Sequence, residues 1–154
     1  MPVTVESLGT LELGPVPALP EAVEIAQAYG IDLRGHRARN IAEVDLAPYD
    51  LVLGFEQMHV ATAVVDGGAA FERAFTLPEL VELLREVPAL PPGAGTTEQA
   101  RAKIRAAHVA RGPDYPKNAV PEIADPLGKT WPAQRRTAEE LHTLVGELSS
   151  RLFG

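Results

Sequence analysis

The sequence predicts an α/β fold, a three-layer sandwich in which helices cover a parallel β-sheet. Short apolar runs alternate with helix signals in the order strand, helix, strand, helix, strand, helix. The run Asp50–Phe55 is continuously apolar after its first residue, which is typical of a strand buried in a parallel sheet. A chain of 154 residues can form one such domain with a substantial core, so we expect residues 1–154 to be a single domain.

The first half of the chain contains the start of this alternation. Thr4–Thr10 is predicted to begin as a short strand and to end in a turn. A helix follows over residues 20–30, because a proline starts it, glutamates occupy its first turn and Gly30 comes after its end. We expect its apolar residues to face the sheet. These are Val23, Ala26 and Ile25. The next strand is the run over residues 50–55.

The rest of the chain repeats the pattern and then becomes helical. A helix is predicted over residues 56–65, a strand over 73–77 and a helix from Pro78 to Leu84. The proline- and glycine-rich residues 88–95 interrupt the elements. A basic helix capped by Thr97 follows up to about Arg111, and a last helix runs from Pro132 to about Phe153. Its apolar positions recur every three or four residues, as in a helix packed on a sheet. They are Leu141, Leu144, Val145, Leu148 and Leu152.

Composition excludes several kinds of chemistry. The chain has no cysteine, which excludes disulfides, thiolate zinc sites and thiol nucleophiles. The four histidines, at 36, 59, 108 and 142, lack metal-binding spacing, and no nucleotide-binding glycine motif occurs, so we predict no metal and no cofactor. A net charge of −7 argues against nucleic acid as a partner. Without a membrane-spanning apolar run or a secretory N-terminus, we expect a cytoplasmic protein that does not bind membranes.

One short motif has two interpretations. Asp125-Pro126 precedes the last helix, and an aspartate before a proline is ordinary turn chemistry. The same arrangement can also present a catalytic acid on a loop. In the basic helix, Arg101, Arg105 and Arg111 could contact phosphate groups or could form a solvated face. No serine lies in a nucleophile elbow.

Several short segments, in order along nearly the whole chain, resemble the low-molecular-weight protein tyrosine phosphatase family, whose fold also serves thiol-dependent arsenate reductases. Gly35–Arg39 matches a family signature well, and Ala124–Gly128 is the last segment of the series. The proline-rich break and the basic helix, together at about residues 88–118, are similar to an insertion found in some longer bacterial members. The other matching segments are Val5–Thr10, Pro20–Leu33, Asp45–Leu53 and Phe75–Leu77.

The resemblance implies roles for three residues and shows a departure from the family pattern. Asp125 occupies the position of the family's general acid, and Ser7 and His36 match positions that support its phosphate loop. The family begins with a strand followed by a Cys-x5-Arg phosphate loop, and this sequence starts at the family's second strand. Without the loop's nucleophile and anion-binding amides, the resemblance implies a degenerate member, inactive as written, that serves as a binding or regulatory module.

Two alternatives stay open at this stage. The sequence could be a truncated version of an active tyrosine phosphatase or arsenate reductase whose reading frame starts upstream. It could also be an unrelated α/β binding domain, in which Ser7, His36 and Asp125 would not converge on one cleft.

The missing strand bears on the expected partners. In the family this strand lies in the middle of a four-stranded sheet, so its loss leaves unpaired backbone groups. The sheet could close up, or a second copy or another chain could donate a strand. We therefore expect a homodimer or a strand-donating partner. A phosphoprotein or anion is a further candidate, since residues 98–154 are mildly basic whereas residues 1–97 are acidic.

Overall fold

A computed structural model of the chain describes residues 2–88, 96–115 and 119–154. Within these residues, two short parallel strands and five α-helices form an α/β fold, which confirms the predicted fold class. The strands are β1 (Val52–Gly54) and β2 (Ala74–Thr76). The α-helices are α1 (Pro20–Gln27), α2 (Gln57–Val65), α3 (Leu77–Glu86), α4 (Thr97–Arg111) and α5 (Trp131–Phe153). Single 3-10 turns span Ile41–Glu43 and Phe71–Arg73.

The strand pair separates two hydrophobic clusters. Val52 pairs with Ala74 and Leu53 pairs with Phe75, and successive residues of a strand point to opposite faces. Ala74 belongs to a cluster with residues of α2, whereas Phe75 belongs to a larger cluster with residues of α3, α4 and α5. The helices therefore lie on both sides of the sheet, as in a sandwich. The fully buried centre of the larger cluster includes Phe75, Leu80 and Val81.

Threonine caps begin two of the helices. The Thr76 hydroxyl accepts the Glu79 N–H at the start of α3, and the Glu79 carboxylate accepts the Thr76 N–H. The prediction that Thr97 caps α4 is wrong by one residue. Thr96 is the cap, because its hydroxyl accepts the Gln99 N–H while the Gln99 side chain accepts the Thr96 N–H.

The predicted strand over residues 4–10 is absent from the structure. This segment contains a single bridge instead, in which Gly9 donates to the Arg39 carbonyl and accepts from the Ile41 N–H. Val5 is 85% exposed. Alternating apolar residues favour a strand, but a strand also needs a neighbouring edge to hydrogen-bond. None of the strands in the described part of the chain provides that edge.

Helix α1 also differs from the expectation. None of its residues is buried, so Val23, Ile25 and Ala26 do not form a sheet-facing core as predicted. Its main neighbour is α5, and just after the end of α1 the ring of Tyr29 contacts the ring of His142 on α5, with centroids 4.7 Å apart. The helix signals were sufficient to place α1 in the sequence, but the face it buries depends on neighbours that local signals do not specify.

The later elements agree with the predictions. Helices α2, α3, α4 and α5 lie where they were expected, within a residue or two at each end. Most of the predicted proline- and glycine-rich break, residues 89–95, lies outside the described residues. None of the described helices combines the length and the apolar character needed to cross a membrane.

Candidate functional site

The candidate site lies where residues 121–125 pass the carboxyl ends of the two strands. The Ile123 N–H donates to the Phe55 carbonyl, just after β1, at 2.8 Å. The Thr76 hydroxyl, at the end of β2, donates to the Pro121 carbonyl at 2.6 Å. Ile123 is buried in the larger hydrophobic cluster. This segment is therefore fixed at the carboxyl ends of the strands, which is where open α/β folds bind their ligands.

Two carboxylates connect the same segment to the start of α2. The Gln57 N–H donates to Glu122 Oε1 at 2.7 Å, and the Asp125 N–H donates to Glu56 Oε1 at 3.2 Å. Unpaired N–H groups at a helix N-terminus attract negative charge, so Glu122 is favourably placed there. Residues 121–125 thus approach both the backbone and the first turn of α2.

Close packing at the end of β1 leaves room for a glycine alone. A Cβ added at Gly54 would lie 2.9 Å from the His59 Cβ and 3.2 Å from the Glu56 carbonyl oxygen. His59 Nδ1 in turn accepts the backbone N–H groups of Phe55 and Glu56, at 3.3 and 3.1 Å. The turn between β1 and α2 is therefore held by its own side chains, and it presents Glu56 to the Asp125 backbone.

Asp125 is exposed and its carboxylate makes a turn contact. Its Oδ1 accepts the Leu127 N–H at 2.8 Å, which is the local turn chemistry that the Asp-Pro sequence favours. The turn and the Glu56 contact fix the backbone of Asp125 while leaving its side chain in contact with solvent. An exposed carboxylate on an anchored backbone could reach a ligand bound at this edge.

Ser7 and His36 lie in the N-terminal part of the chain. Ser7 is exposed and precedes the Gly9 bridge, and His36 is half-buried in a turn where its N–H donates to the Leu33 carbonyl. In the described portion of the chain, no hydrogen bond or ion pair joins the side chains of any two of Ser7, His36 and Asp125. Their assignment as phosphate-loop supports and general acid stays a prediction.

A buried ion pair lies next to Thr76, the β2 residue that bonds the site segment. Glu79 and Arg111 are 5% and 8% exposed. Arg111 Nε and Nη2 donate to the Glu79 carboxylate at 2.8 and 3.0 Å, and Nη2 also donates to the Ala74 carbonyl at 2.6 Å. Because Glu79 also bonds the cap residue Thr76, the pair connects α4 to the end of β2.

Aromatic rings enclose this guanidinium. Its central carbon lies 3.9 Å from the ring centroid of Phe75, 4.7 Å from that of Tyr115 and 4.8 Å from that of Phe71. Burial, together with the nearby Glu79 carboxylate, raises the pKa of Tyr115 to about 12. Both suggestions for Arg111, contact with phosphate groups and a solvated face, are therefore wrong, because the side chain is buried and its donors are used inside the protein. Arg101 and Arg105 are exposed and form ion pairs with Asp50 and Glu98.

The residues that hold the site together were not predicted from the sequence. Thr76 and Glu79 have the Thr-x-x-Glu spacing of a capping box, which could have been recognised. Glu122 and Glu56 gave no such signal, since their partners are 65 and 69 residues away in sequence. No cluster of three metal-ligating side chains is found in residues 2–88, 96–115 and 119–154.

Comparison with known proteins identifies the family. A family model for low molecular weight phosphotyrosine protein phosphatases matches residues 1–98, more than half of the chain. The chain belongs to this family. This chain is similar to the crystal structure of a low molecular weight protein tyrosine phosphatase from T. tengcongensis. The TM-score is 0.65 and the sequence identity is 26%. That match covers 96% of the present chain and 76% of the T. tengcongensis chain. No curated protein matches.

Family membership gives the absence of cysteine a specific meaning. A tyrosine phosphatase of this family is expected, from the resemblance noted above, to use a cysteine nucleophile in a Cys-x5-Arg loop. This phosphatase-family chain has no cysteine at any of its 154 positions. These residues therefore have the fold of the family and contain no cysteine nucleophile.

Proposed function

We propose that this chain is a non-catalytic member of the phosphatase family that acts as a binding module. The observation that supports the proposal most directly is the absence of cysteine from all 154 residues. Covalent phosphoryl transfer of the family type needs a thiolate, and the Thr76 hydroxyl at the site donates to the Pro121 carbonyl rather than to a base. These residues keep the fold of the family but supply no thiolate for covalent phosphoryl transfer.

The geometry of Asp125 is consistent with this role. A general acid must lie within hydrogen-bonding reach of the leaving group while a nucleophile attacks from the other side. Asp125 is exposed at the edge of the sheet and bonds its own turn through Leu127. A side chain in this position has no covalent intermediate to act on, because these residues supply no cysteine nucleophile.

The test is an assay of arylphosphate hydrolysis by the purified 154-residue chain. We expect the release of p-nitrophenol from p-nitrophenyl phosphate to equal the rate in buffer, for the unmodified chain and for Asp125→Asn alike. The substitution keeps an oxygen that can accept the Leu127 N–H, so folding should be unaffected. Turnover by the unmodified chain that is lost in Asp125→Asn would show that the protein is an enzyme.

A second candidate function is supported by the position of Asp125. Its segment is bonded to the carboxyl end of β1 through Ile123 and to the turn after β1 through Glu56. This is the ligand-binding edge of an open α/β sheet. The residues could therefore form the acid-bearing part of an active phosphatase or arsenate reductase whose nucleophile lies outside these 154 residues.

The coding sequence upstream of these residues separates the two candidates. If it encodes an in-frame Cys-x5-Arg segment, the extended chain should hydrolyse p-nitrophenyl phosphate or reduce arsenate with a thiol. Such activity should disappear when that cysteine is replaced by serine. For phosphatase activity, Asp125→Asn should also slow turnover, since removal of a general acid typically costs about 10²–10⁴-fold in rate. Without such a segment, the binding-module proposal stands.

A further inference from the structure

A groove with a volume of about 480 Å³ lies between α1 and α5. Helix α1 has no buried residue, and the buried residues of α5, Leu148 and Leu152, lie towards the end of that helix and away from the groove. The two walls meet where the ring of Tyr29 contacts the ring of His142. The groove is therefore a concave surface that the described residues leave unfilled.

The lining of the groove combines aromatic rings with carboxylates. Its α5 residues are spaced four apart, so they share one face of that helix. They are Trp131, Arg135 and Glu139. The opposite wall is formed by residues of α1 and by the two residues that follow it. These are Glu24, Ile25, Ala28 and Tyr29. Two aromatic rings, two aliphatic side chains and two carboxylates thus face one space.

The two carboxylates favour a cationic ligand. Glu24 and Glu139 are exposed, and neither forms an ion pair within residues 2–88, 96–115 and 119–154. Helix α1 contains two glutamates, Glu21 and Glu24, and no basic residue. Among the described lining residues, two glutamates and one arginine give a formal charge of −1. An anionic ligand would be repelled here, whereas a cation would find a carboxylate on each wall.

Arg135 shows that this surface accepts a guanidinium. Its central carbon lies 5.2 Å from the centroid of the Trp131 ring, which is within the range of a cation–π contact. Arg135 is exposed and forms no ion pair with another described residue, so its side chain can turn towards solvent without breaking one. A guanidinium from outside would meet the same ring together with carboxylates that Arg135 does not bind.

We propose, building on the binding-module function above, that this groove binds an arginine side chain of a partner polypeptide. The guanidinium lies against the rings of Trp131 and Tyr29 and pairs with Glu24 or Glu139, and its aliphatic stem packs over Ile25. A lysine ammonium has no planar face to lie on the rings. A wholly apolar ligand would remove water from the carboxylates without replacing the lost hydrogen bonds.

The probe for the test is the peptide acetyl-Gly-Leu-Arg-Leu-Gly-amide, in which the leucines supply apolar contacts. Trp131 lines the groove and is the single tryptophan of this chain, so its fluorescence reports occupancy directly. We expect a saturable change in Trp131 fluorescence on titration. The same peptide with glutamine in place of arginine should give no saturable change, and the peptide with lysine should bind more weakly than the arginine peptide.

Two pairs of neighbouring residues on α5 locate the site. Glu139→Gln removes a lining carboxylate and should weaken binding about threefold to fivefold. Glu140→Gln is its matched control, because Glu140 does not line the groove. Arg135→Gln removes the resident guanidinium and should tighten binding by a similar factor. Arg136→Gln is the control for that change, because Arg136 is also outside the lining.

The pairs separate a local contact from the general charge of the protein. The two members of each pair change the net charge equally, so a long-range electrostatic effect would be the same for both. All four side chains are exposed, so the substitutions should leave the fold intact. Circular dichroism melting curves verify that each variant is folded before its binding is compared.

Each outcome decides the proposal. Saturable binding of the arginine peptide that is weakened by Glu139→Gln but not by Glu140→Gln, and tightened by Arg135→Gln but not by Arg136→Gln, supports it. No saturable change, equal binding of the glutamine peptide, or equal effects within either pair overturns it. A dimer seen by light scattering without peptide, and dissociated by Glu139→Gln, also overturns it in favour of a second copy. Arylphosphate turnover by the chain alone would refute the non-catalytic function without bearing on this groove.

Discussion

At the scale of single residues, Glu147 shows how one carboxylate joins two helices. Arg85 of α3 donates from Nε and Nη2 to the two Glu147 oxygens, at 2.9 and 2.8 Å. Arg151, one turn along α5, donates from Nε at 2.7 Å. These hydrogen bonds favour the ionised form, so the two arginines lower the pKa of Glu147 to about 2.

The lowered pKa predicts a specific acid sensitivity. Because the folded-state pKa lies below the unfolded value of 4.5, Glu147 stabilises the fold above pH 4.5 and loses this effect as the pH falls towards 2. In Glu147→Gln, we expect the urea midpoint to depend less on pH between 4.5 and 2.5 than in the unmodified chain. Glu140→Gln, on the exposed side of the same helix, serves as the control. Equal pH dependence in all three proteins would contradict the assignment.

At the scale of elements, the Glu79–Arg111 pair determines how α4 docks. The guanidinium of Arg111 bonds a carboxylate of α3 and the backbone of β2, and it stacks on Phe75. This buried arginine is tolerated because its guanidinium bonds a carboxylate and a backbone carbonyl and lies against an aromatic ring. The pair therefore fixes the position of α4 relative to the strand end that holds residues 121–125.

This arrangement predicts strong coupling between the two residues. Removing one partner leaves a buried charge uncompensated, so Arg111→Ala and Glu79→Ala should each lower the free energy of unfolding by about 3–5 kcal/mol. The double variant should lose clearly less than the sum of the two single losses. Urea denaturation of the four proteins measures this coupling.

The exposed pair Asp50–Arg101 is a control for that measurement. It has a similar distance, 2.7 Å between Arg101 Nε and Asp50 Oδ1, but both side chains are nearly half exposed. Surface ion pairs contribute about 0–1 kcal/mol, so Arg101→Ala should have a small effect. Comparable losses at Arg101 and Arg111 would mean that burial does not determine the difference.

At the scale of the whole molecule, buried contacts and regular secondary structure are distributed unevenly along the chain. The cluster around Phe75, Leu80 and Val81 is fully buried and involves α3, α4 and α5. Residues 2–19 contain no helix or strand, and their apolar side chains, such as Val5 and Leu11, are largely exposed. Regions with few buried contacts open at a lower free energy than the core does.

Hydrogen exchange should reveal this difference. We expect the amides of α3 and of β2 to exchange at rates set by global unfolding, whereas those of residues 2–8 should exchange nearly as fast as in an unfolded peptide. Mass spectrometry of labelled fragments measures both regions in one experiment. Protection of residues 2–8 equal to that of α3 would show that the segment is already paired in the free protein.

The sequence allowed much of the fold to be predicted where the signals are local. Proline signals placed the starts of α1, α3 and α5, and the continuous apolar run placed β1, because these patterns act within a few residues. The candidate site was predictable in part. Asp125 was found through its Asp-Pro turn, but Glu56 and Glu122 act across more than 60 residues and left no local pattern.

The sequence by itself determined that these 154 residues contain no thiol nucleophile, because composition does not depend on folding. It also determined which stretches become helices, through side chains that bond or restrict their own backbone. The tertiary structure alone decided that residues 4–10 form no strand, that Arg111 is buried and that residues 121–125 lie at the end of β1. Each of these depends on atoms distant in the chain, since a strand edge, an enclosed charge and a bonded loop all need a partner that folding must first bring near.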